Sequence, residues 1–228
     1  MSWFLGYSVE APWPEDLPTG EILPIESRHI TTQFFGSKKF EEKIEKPPFL
    51  IAPGGVVDGV LFLKHVVAYA PSFFEPLKEP PLPHITISRT TGQEEMWEKA
   101  FKPFPFYLKG FHLFHTIGHL QYEKVQSILL EAPFEEIPHT ADIAFKVKGR
   151  HVKDLYLHAA LALSFRAPTL CKWIHGYIPN SLDEVVTSLN KLLYLLDIEE
   201  GSPLKAVSHA GFVEEKGQLL EWEMIVDV

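Results

Sequence analysis

The sequence carries one short motif twice, a histidine followed two positions later by a threonine with an isoleucine between them. The copies are His29-Ile30-Thr31 and His84-Ile85-Thr86, and each has the composition of a β-strand. Successive side chains of a strand point to opposite faces, so each histidine shares a face with its threonine. Two such strands across a cleft would supply two imidazoles for proton transfer and two hydroxyls for the oxygens of a phosphate.

The elements that must position these motifs fall into two parts. Up to Glu131 the pattern is rich in short strands separated by prolines, whereas after Ala132-Pro133 a strand pattern is followed by two long helices. We therefore predict an α+β protein of two domains, residues 1–131 and 132–228. The predicted strands are Trp3–Val9, Ile25–Phe35, Phe49–Ala52, Tyr107–His115, Lys205–Val213 and Gln218–Val228. Val56–Tyr69 is predicted to supply one or two further strands, and Phe134–Lys148 a strand or the edge of a hairpin. The predicted helices are Gln93–Phe101, Tyr122–Leu130, Val152–Phe165 and Leu182–Leu196, the last with Ser181 as N-cap and Glu184 as its capping-box partner.

Composition narrows the class of protein. The net charge is −9 and both parts are acidic, which argues against a surface that coats duplex nucleic acid but allows a local cluster that grips an RNA end. One cysteine excludes an intramolecular disulfide. The apolar start lacks a basic leader and no run is long enough to span a membrane, so we expect a cytoplasmic protein. Only two asparagines occur, which favours a thermophilic origin.

The duplicated motif resembles the 2H phosphoesterase superfamily, in particular its 2',5' RNA ligase-like branch, which includes RNA 2',3'-cyclic phosphodiesterases. His29-Ile-Thr-Thr-Gln-Phe-Phe-Gly36 is similar to the first motif strand of that family, and His84-Ile-Thr-Ile-Ser-Arg89 is similar to the second. The segment Gly110-Phe-His-Leu-Phe-His115 and the later Tyr122 extend the resemblance, which covers residues 2–131. It implies a two-lobed antiparallel-sheet fold and catalysis without a cofactor.

In the reaction that the resemblance implies, one neutral imidazole takes a proton from water and the other, protonated, gives one to the departing ribose oxygen. Family analogy makes His84 the base and His29 the acid. Thr31 and Thr86 would bind the phosphoryl oxygens, and Arg89 would add a charged hydrogen bond. Lys38 and Lys39 are either a solvated turn or contacts for RNA phosphates. We interpret the remaining histidines of this part, His65, His112, His115 and His119, as structural, with His115 or His119 as alternatives at the cleft edge.

The second part resembles archease, a partner protein of RtcB-type RNA ligases that binds a divalent metal through acidic residues. The resemblance rests on Glu135-Glu-Ile-Pro-His-Thr-Ala-Asp-Ile143, on the helix around residues 185–197 and on the last hairpin, residues 204–228. Asp142 and Asp227 match two of the acids, so they are the expected ligands of calcium or magnesium. Pro138 and Arg150 stand where acids are usual, and the segment before the hairpin is short. A site that lacks these acids and faces Arg150 is expected to bind metal weakly or not at all.

These observations lead to one main hypothesis and two alternatives. The main hypothesis is a metal-independent enzyme that opens RNA 2',3'-cyclic phosphates, joined to an archease-like domain linked to RNA ligation. The first alternative is a non-catalytic accessory protein that engages an RtcB-type ligase while its histidine groove holds RNA ends. The second keeps the enzyme but gives it a small cyclic nucleotide or an ADP-ribose cyclic phosphate, because specificity would lie in rim loops such as residues 90–96.

Overall fold

The computed structural model describes residues 1–62, 66–69, 83–89, 92–140, 142–174, 178–208 and 213–228. Its chain divides into two compact units, Met1–Glu131 and Ala132–Val228, each of mixed α+β structure with antiparallel sheets. Several residues considered above lie outside the described ranges, namely His65, the prolines at 80 and 81, Thr90 and Thr91 of the rim loop, and residues 209–212 of the last hairpin. No described helix is long and apolar enough to cross a membrane.

The first unit is built on one curled sheet whose described strands run in the order β3-β7-β1-β2-β6-β5-β4, with β8 added beside β7. The strands are β1 Trp3–Glu10, β2 His29–Gly36, β3 Gly54–Val57, β4 Gly59–Phe62, β5 Val66–Tyr69, β6 His84–Ser88, β7 Phe104–Gly118 and β8 Gln121–Leu129. A single α-helix is described in this unit, α1 Glu94–Ala100. The 15-residue β7 pairs with β1 along one edge and with both β3 and β8 along the other.

One face of this sheet is the hydrophobic core of the unit. Alternate residues of three neighbouring strands, among them Tyr7, Ile30 and Leu108, point to the same side and are buried together. Trp97 joins them from α1 and is also buried, so the helix covers this face. One described residue pair joins strands β3, β7, β1 and β2 to strands β6, β5 and β4. In this pair Ile30 lies opposite Ile85, where β2 contacts β6 in antiparallel orientation.

The second unit consists of a five-stranded antiparallel sheet and two long helices. The strands are β9 Phe134–Ile137, β10 Ile143–Gly149, β11 Ala206–Ser208, β12 Val213–Lys216 and β13 Leu219–Asp227, in the order β11-β13-β10-β9 with β12 also on β13. The helices are α2 Val152–Arg166 and α3 Leu182–Glu200. Ala159 and Leu163 of α2 and Leu189 and Leu193 of α3 are buried, so both helices contribute an apolar face to the core.

Capping and burial explain local features of this unit. The Ser181 hydroxyl accepts a hydrogen bond from the Glu184 N–H at the start of α3, which confirms the predicted N-cap. The Glu184 carboxylate accepts from the Asn180 N–H, one residue earlier than a capping box requires. Cys171, in a short 3-10 helix after α2, is 1% exposed, and burial raises the pKa of its thiol to about 12.

Two of the predicted elements are wrong. Residues 122–130 form most of strand β8 instead of a helix, because pairing along β7 outweighs the helical preference of their charged residues. Residues 49–52 form no strand, since Pro47-Pro48 and Pro53 flank them, although Ile51 and Ala52 are buried and the Ala52 N–H donates to Glu131. The predicted strand Ile25–Phe35 begins with a 3-10 turn and becomes extended only at His29.

Gly6 permits the close approach of β1 and β2, and this provides a test of the fold. A Cβ atom at this position would lie 2.6 Å from the backbone oxygen of Ile30, so Gly6→Ala must push the two strands apart. We expect a loss of about 1–3 kcal/mol in the free energy of unfolding, measured by urea denaturation. Gly59→Ala is the matched control, because its Cβ would meet nothing within 4 Å. Equal stabilities of the two variants would contradict this account.

Candidate active site

The contact between β2 and β6 brings both motifs together. Ile30 and Ile85 lie opposite each other and both are 0% exposed, so the residues that flank them point to the opposite face of the sheet. Continuing the antiparallel register by one residue in each direction places His29 opposite Thr86 and Thr31 opposite His84. Two imidazoles and two hydroxyls therefore share one face, and all four are only partly buried, as a substrate site requires.

The His29 ring is held in one orientation. Its Nδ1 lies 2.7 Å from the carbonyl oxygen of Ser27, a contact that requires the proton on Nδ1 and leaves the lone pair on Nε2. The ring stacks on Phe4 with the centroids 4.7 Å apart and also contacts Phe114 at 5.0 Å and Tyr122 at 5.1 Å. Nε2 is thus the nitrogen available for proton transfer.

The environment of His29 favours its neutral form. Burial among the aromatic rings lowers the pKa of this imidazole to about 4, the hydrogen bond to Ser27 opposes that shift, and the positive charges of His84, Arg89 and Lys124 lower the pKa further. The ring is therefore uncharged at neutral pH in the free protein. A base needs that form, whereas the family resemblance implies the acid role for His29.

Arg89 is held near His29 by two hydrogen bonds. Its Nη2 donates to the Tyr122 hydroxyl at 3.0 Å, and its backbone N–H donates to Glu21 at 3.0 Å. Its Nε is buried and has no hydrogen-bond partner among the residues that the structure describes. The positive charge of the guanidinium would favour an anion at this face of the sheet. The guanidinium lies close enough to His29 to influence its charge.

Two further polar residues on this face were not predicted as functional. His112 is 3% exposed, with Nε2 2.8 Å from the Ser8 hydroxyl and Nδ1 2.8 Å from the Ser127 hydroxyl, and burial lowers its pKa to about 4. Lys124 pairs with Phe114 across β7 and β8 and is exposed on the His29 side. The sequence could not reveal Lys124, because its position depends on β8 being a strand.

The remaining described histidines of this unit, and the two lysines considered above, contact other groups. His115 stacks on Trp3 at 4.2 Å, and His119 contacts the Glu21 carboxylate. Lys38 and Lys39 line a cleft of about 500 Å³ in the loop after β2, which also includes the stacked rings of Phe35 and Phe40 and the carboxylates of Glu41 and Glu42. Lys39 lies 3.7 Å from Glu41, so part of the positive charge there is already balanced.

The two acids predicted to bind metal lie at the same end of the β10–β13 ladder. Ile143 pairs with Val226, and continuing the register by one residue places Asp142 opposite Asp227. The His139 ring lies 3.6 Å from the Asp142 carboxylate. No group of three or more His, Cys, Asp or Glu side chains that could hold a metal ion occurs among the described residues. The described side chains therefore do not make a metal centre on their own.

Arg150 does not face this acidic pair, contrary to expectation. It follows Gly149 at the far end of β10, so the seven-residue strand separates it from Asp142 by roughly 26 Å. Its backbone N–H donates to the Asp154 carboxylate, which also accepts from the His151 N–H at the start of α2. Arg150 therefore belongs to the helix start.

Two solved structures are weakly similar to this chain. No protein-family model and no curated protein sequence matches the chain. The crystal structure of E. coli LigT complexed with NADP+ is 15% identical, with a TM-score of 0.38 over 57% of this chain and 97% of LigT. The crystal structure of TT0787 of Thermus thermophilus is 14% identical, with a TM-score of 0.35 over 58% of this chain and 99% of its own. Similarity at this level assigns neither fold nor activity, so the function must be argued from the site.

The lowered pKa values can be measured directly. In a pH titration followed by imidazole NMR signals, His29 and His112 should titrate near pH 4, and in urea both should return to about 6.5. Because the unfolded chain then binds more protons, stability should decrease as the pH falls from about 6.5 towards 4. A native-state midpoint at 6.5 or above for His29 would show that its ring is not desolvated as described.

Proposed function

We propose that this protein hydrolyses 2',3'-cyclic phosphates at RNA ends to 2'-phosphates in the cytoplasm, as a two-histidine phosphodiesterase of the 2H type. The observation that carries the proposal is the buried Ile30–Ile85 pair, which puts His29, Thr86, Thr31 and His84 on one face. Arg89 supports it, since the charge of its guanidinium acts on His29 and would attract the phosphate.

The reaction needs two proton transfers at one phosphorus atom. A neutral imidazole removes a proton from water as the water oxygen bonds to phosphorus. The bond from phosphorus to the ribose 3' oxygen breaks, and the protonated second imidazole gives its proton to that oxygen. Thr31, Thr86 and Arg89 donate hydrogen bonds to the non-bridging oxygens, whose negative charge increases in the transition state.

The local environment suggests which imidazole plays which part. The pKa of His29 is lowered to about 4, so its Nε2 carries a lone pair at neutral pH and is suited to activate water. His84, on the opposite strand, would then be the proton donor to the ribose oxygen. This assignment reverses the one that family analogy implies for His29 and His84.

Replacing either motif histidine should stop the reaction. With an oligoribonucleotide ending in a 2',3'-cyclic phosphate, in EDTA, we expect His29→Ala and His84→Ala each to lower kcat by roughly 10²- to 10⁴-fold. His119→Ala is the control, because its ring is exposed and contacts Glu21. The measurement is the chemical identity of the RNA end with time.

The outcomes separate the hypotheses. If the unaltered protein leaves every cyclic phosphate intact but binds the RNA end, the accessory-protein alternative replaces the enzyme. Turnover that EDTA abolishes would exclude metal-independent catalysis by the two histidines.

For the second unit we propose an archease-like role beside an RtcB-type RNA ligase, with a weak calcium or magnesium site at Asp142 and Asp227. The observation that favours it is the register that places these carboxylates opposite each other. Like charges in that position repel, and a divalent cation would remove the repulsion. Backbone oxygens or water would have to complete the ligand set, since the described side chains provide too few ligands.

Calcium should therefore stabilise the protein modestly. With millimolar affinity or slightly better, roughly 10 mM calcium should add about 1–3 kcal/mol to the free energy of unfolding of this unit. Asp142→Asn should remove the calcium effect, whereas Glu215→Gln, an exposed acid on β12, should keep it. Differential scanning calorimetry with calcium, magnesium and EDTA makes the measurement. The same calcium effect in Asp142→Asn would contradict the site.

A further inference from the structure

Four residues form one row across four strands, on the side of the sheet on which His29 lies. Phe34 of β2 pairs with Phe4 of β1, Phe4 pairs with Phe114 of β7, and Phe114 pairs with Lys124 of β8. Paired residues of neighbouring strands share a face, so all four side chains lie on one side of the sheet. The row spans three strand spacings of about 4.8 Å, or roughly 14 Å in all.

Phe34 reaches this face because of a β-bulge. Gly6 pairs with Thr31 and Leu5 with Gln33, so Thr32 is the extra residue in β2. Without the bulge, Phe34 would lie five positions from His29 and point to the opposite side of the sheet. The bulge turns it to the side on which the histidine lies.

Burial differs along the row. Phe4 and Phe114 are 4% and 1% exposed, and the His29 ring packs against both of them. Phe34 is 65% exposed at one end. Lys124 is exposed at the other end. The row therefore has an exposed aromatic ring at its β2 end and a cation at its β8 end.

We propose that Phe34 is a stacking platform for the nucleobase of the terminal nucleotide, whose cyclic phosphate lies at His29 and faces Lys124. This inference rests on the proposed function and specifies its substrate as a nucleotide that is recognised through its base. An exposed ring can stack any base, and stacking of this kind is the common way in which proteins bind unpaired nucleotides.

The arrangement also gives the bound nucleotide a direction. The charges of His84, Arg89 and Lys124 act on His29, and Phe34 lies on the same strand as His29, at the end of the row away from Lys124. A nucleotide has a charged phosphate and an apolar base, so the phosphate would lie among these cations and the base on Phe34.

The test compares substrates with and without a base. The kcat/KM values are measured for a nucleoside 2',3'-cyclic phosphate and for ribose 2',3'-cyclic phosphate, with Phe34→Ala, Phe34→Leu and Phe34→Tyr. We expect Phe34→Ala and Phe34→Leu to lose at least about fivefold on the nucleotide but to equal the unaltered protein on the base-free compound. Phe34→Tyr should retain activity on both. Tyr194→Ala is the control, because Tyr194 is an aromatic residue on α3 of the second unit and is exposed to the same extent as Phe34.

The result has three distinguishable outcomes. Equal losses on both substrates would overturn the stacking role and leave the phosphodiesterase intact, and so would no loss on either. If the unaltered protein turns over neither substrate, the proposed function fails. The inference is then decided by calorimetric binding of the nucleotide to the unaltered protein and to Phe34→Ala, and equal affinities or no binding would overturn it.

Discussion

The packing of Ile30 against Ile85 is the interaction on which the candidate site depends. Both side chains are fully buried, and burial of an isoleucine contributes roughly 1.5–3 kcal/mol. A register slip of one residue would turn the side chains of a strand to the other face and expose these isoleucines to water. The burial that joins the halves of the sheet therefore also determines where the two histidines and two threonines lie. Core packing sets the geometry of the site.

The charge of the site differs from the charge of the protein. The chain carries a net charge of −9, yet the groups that act on His29 are Arg89, Lys124 and the second histidine. The positive potential of these three groups is screened within a short distance in physiological salt. It therefore favours one phosphate at the site over a long phosphate backbone. The buried rings beneath His29 strengthen these local interactions because they exclude water.

The sequence predicted the parts of the fold that depend on local patterns. Strand β1, helices α1, α2 and α3 and the Ser181 cap follow from periodicity and end signals, and the duplicated motif pointed to a shared face. It missed features that depend on distant partners. β8 is a strand because β7 lies beside it, and the contributions of Lys124 and His112 follow from that pairing. The bulge at Thr32 could not be predicted either, because no residue type in this strand indicates a bulge.

The burial of Cys171 has a practical consequence for spectroscopy. It is the single cysteine of the chain, it is 1% exposed, and its thiol stays protonated at neutral pH because its pKa is raised to about 12. Since the thiolate is the reactive form, maleimide reagents should leave this residue unmodified in the folded protein. A cysteine introduced on the surface would then be the one reactive thiol. Fluorophores and spin labels can be attached there without first removing the native residue.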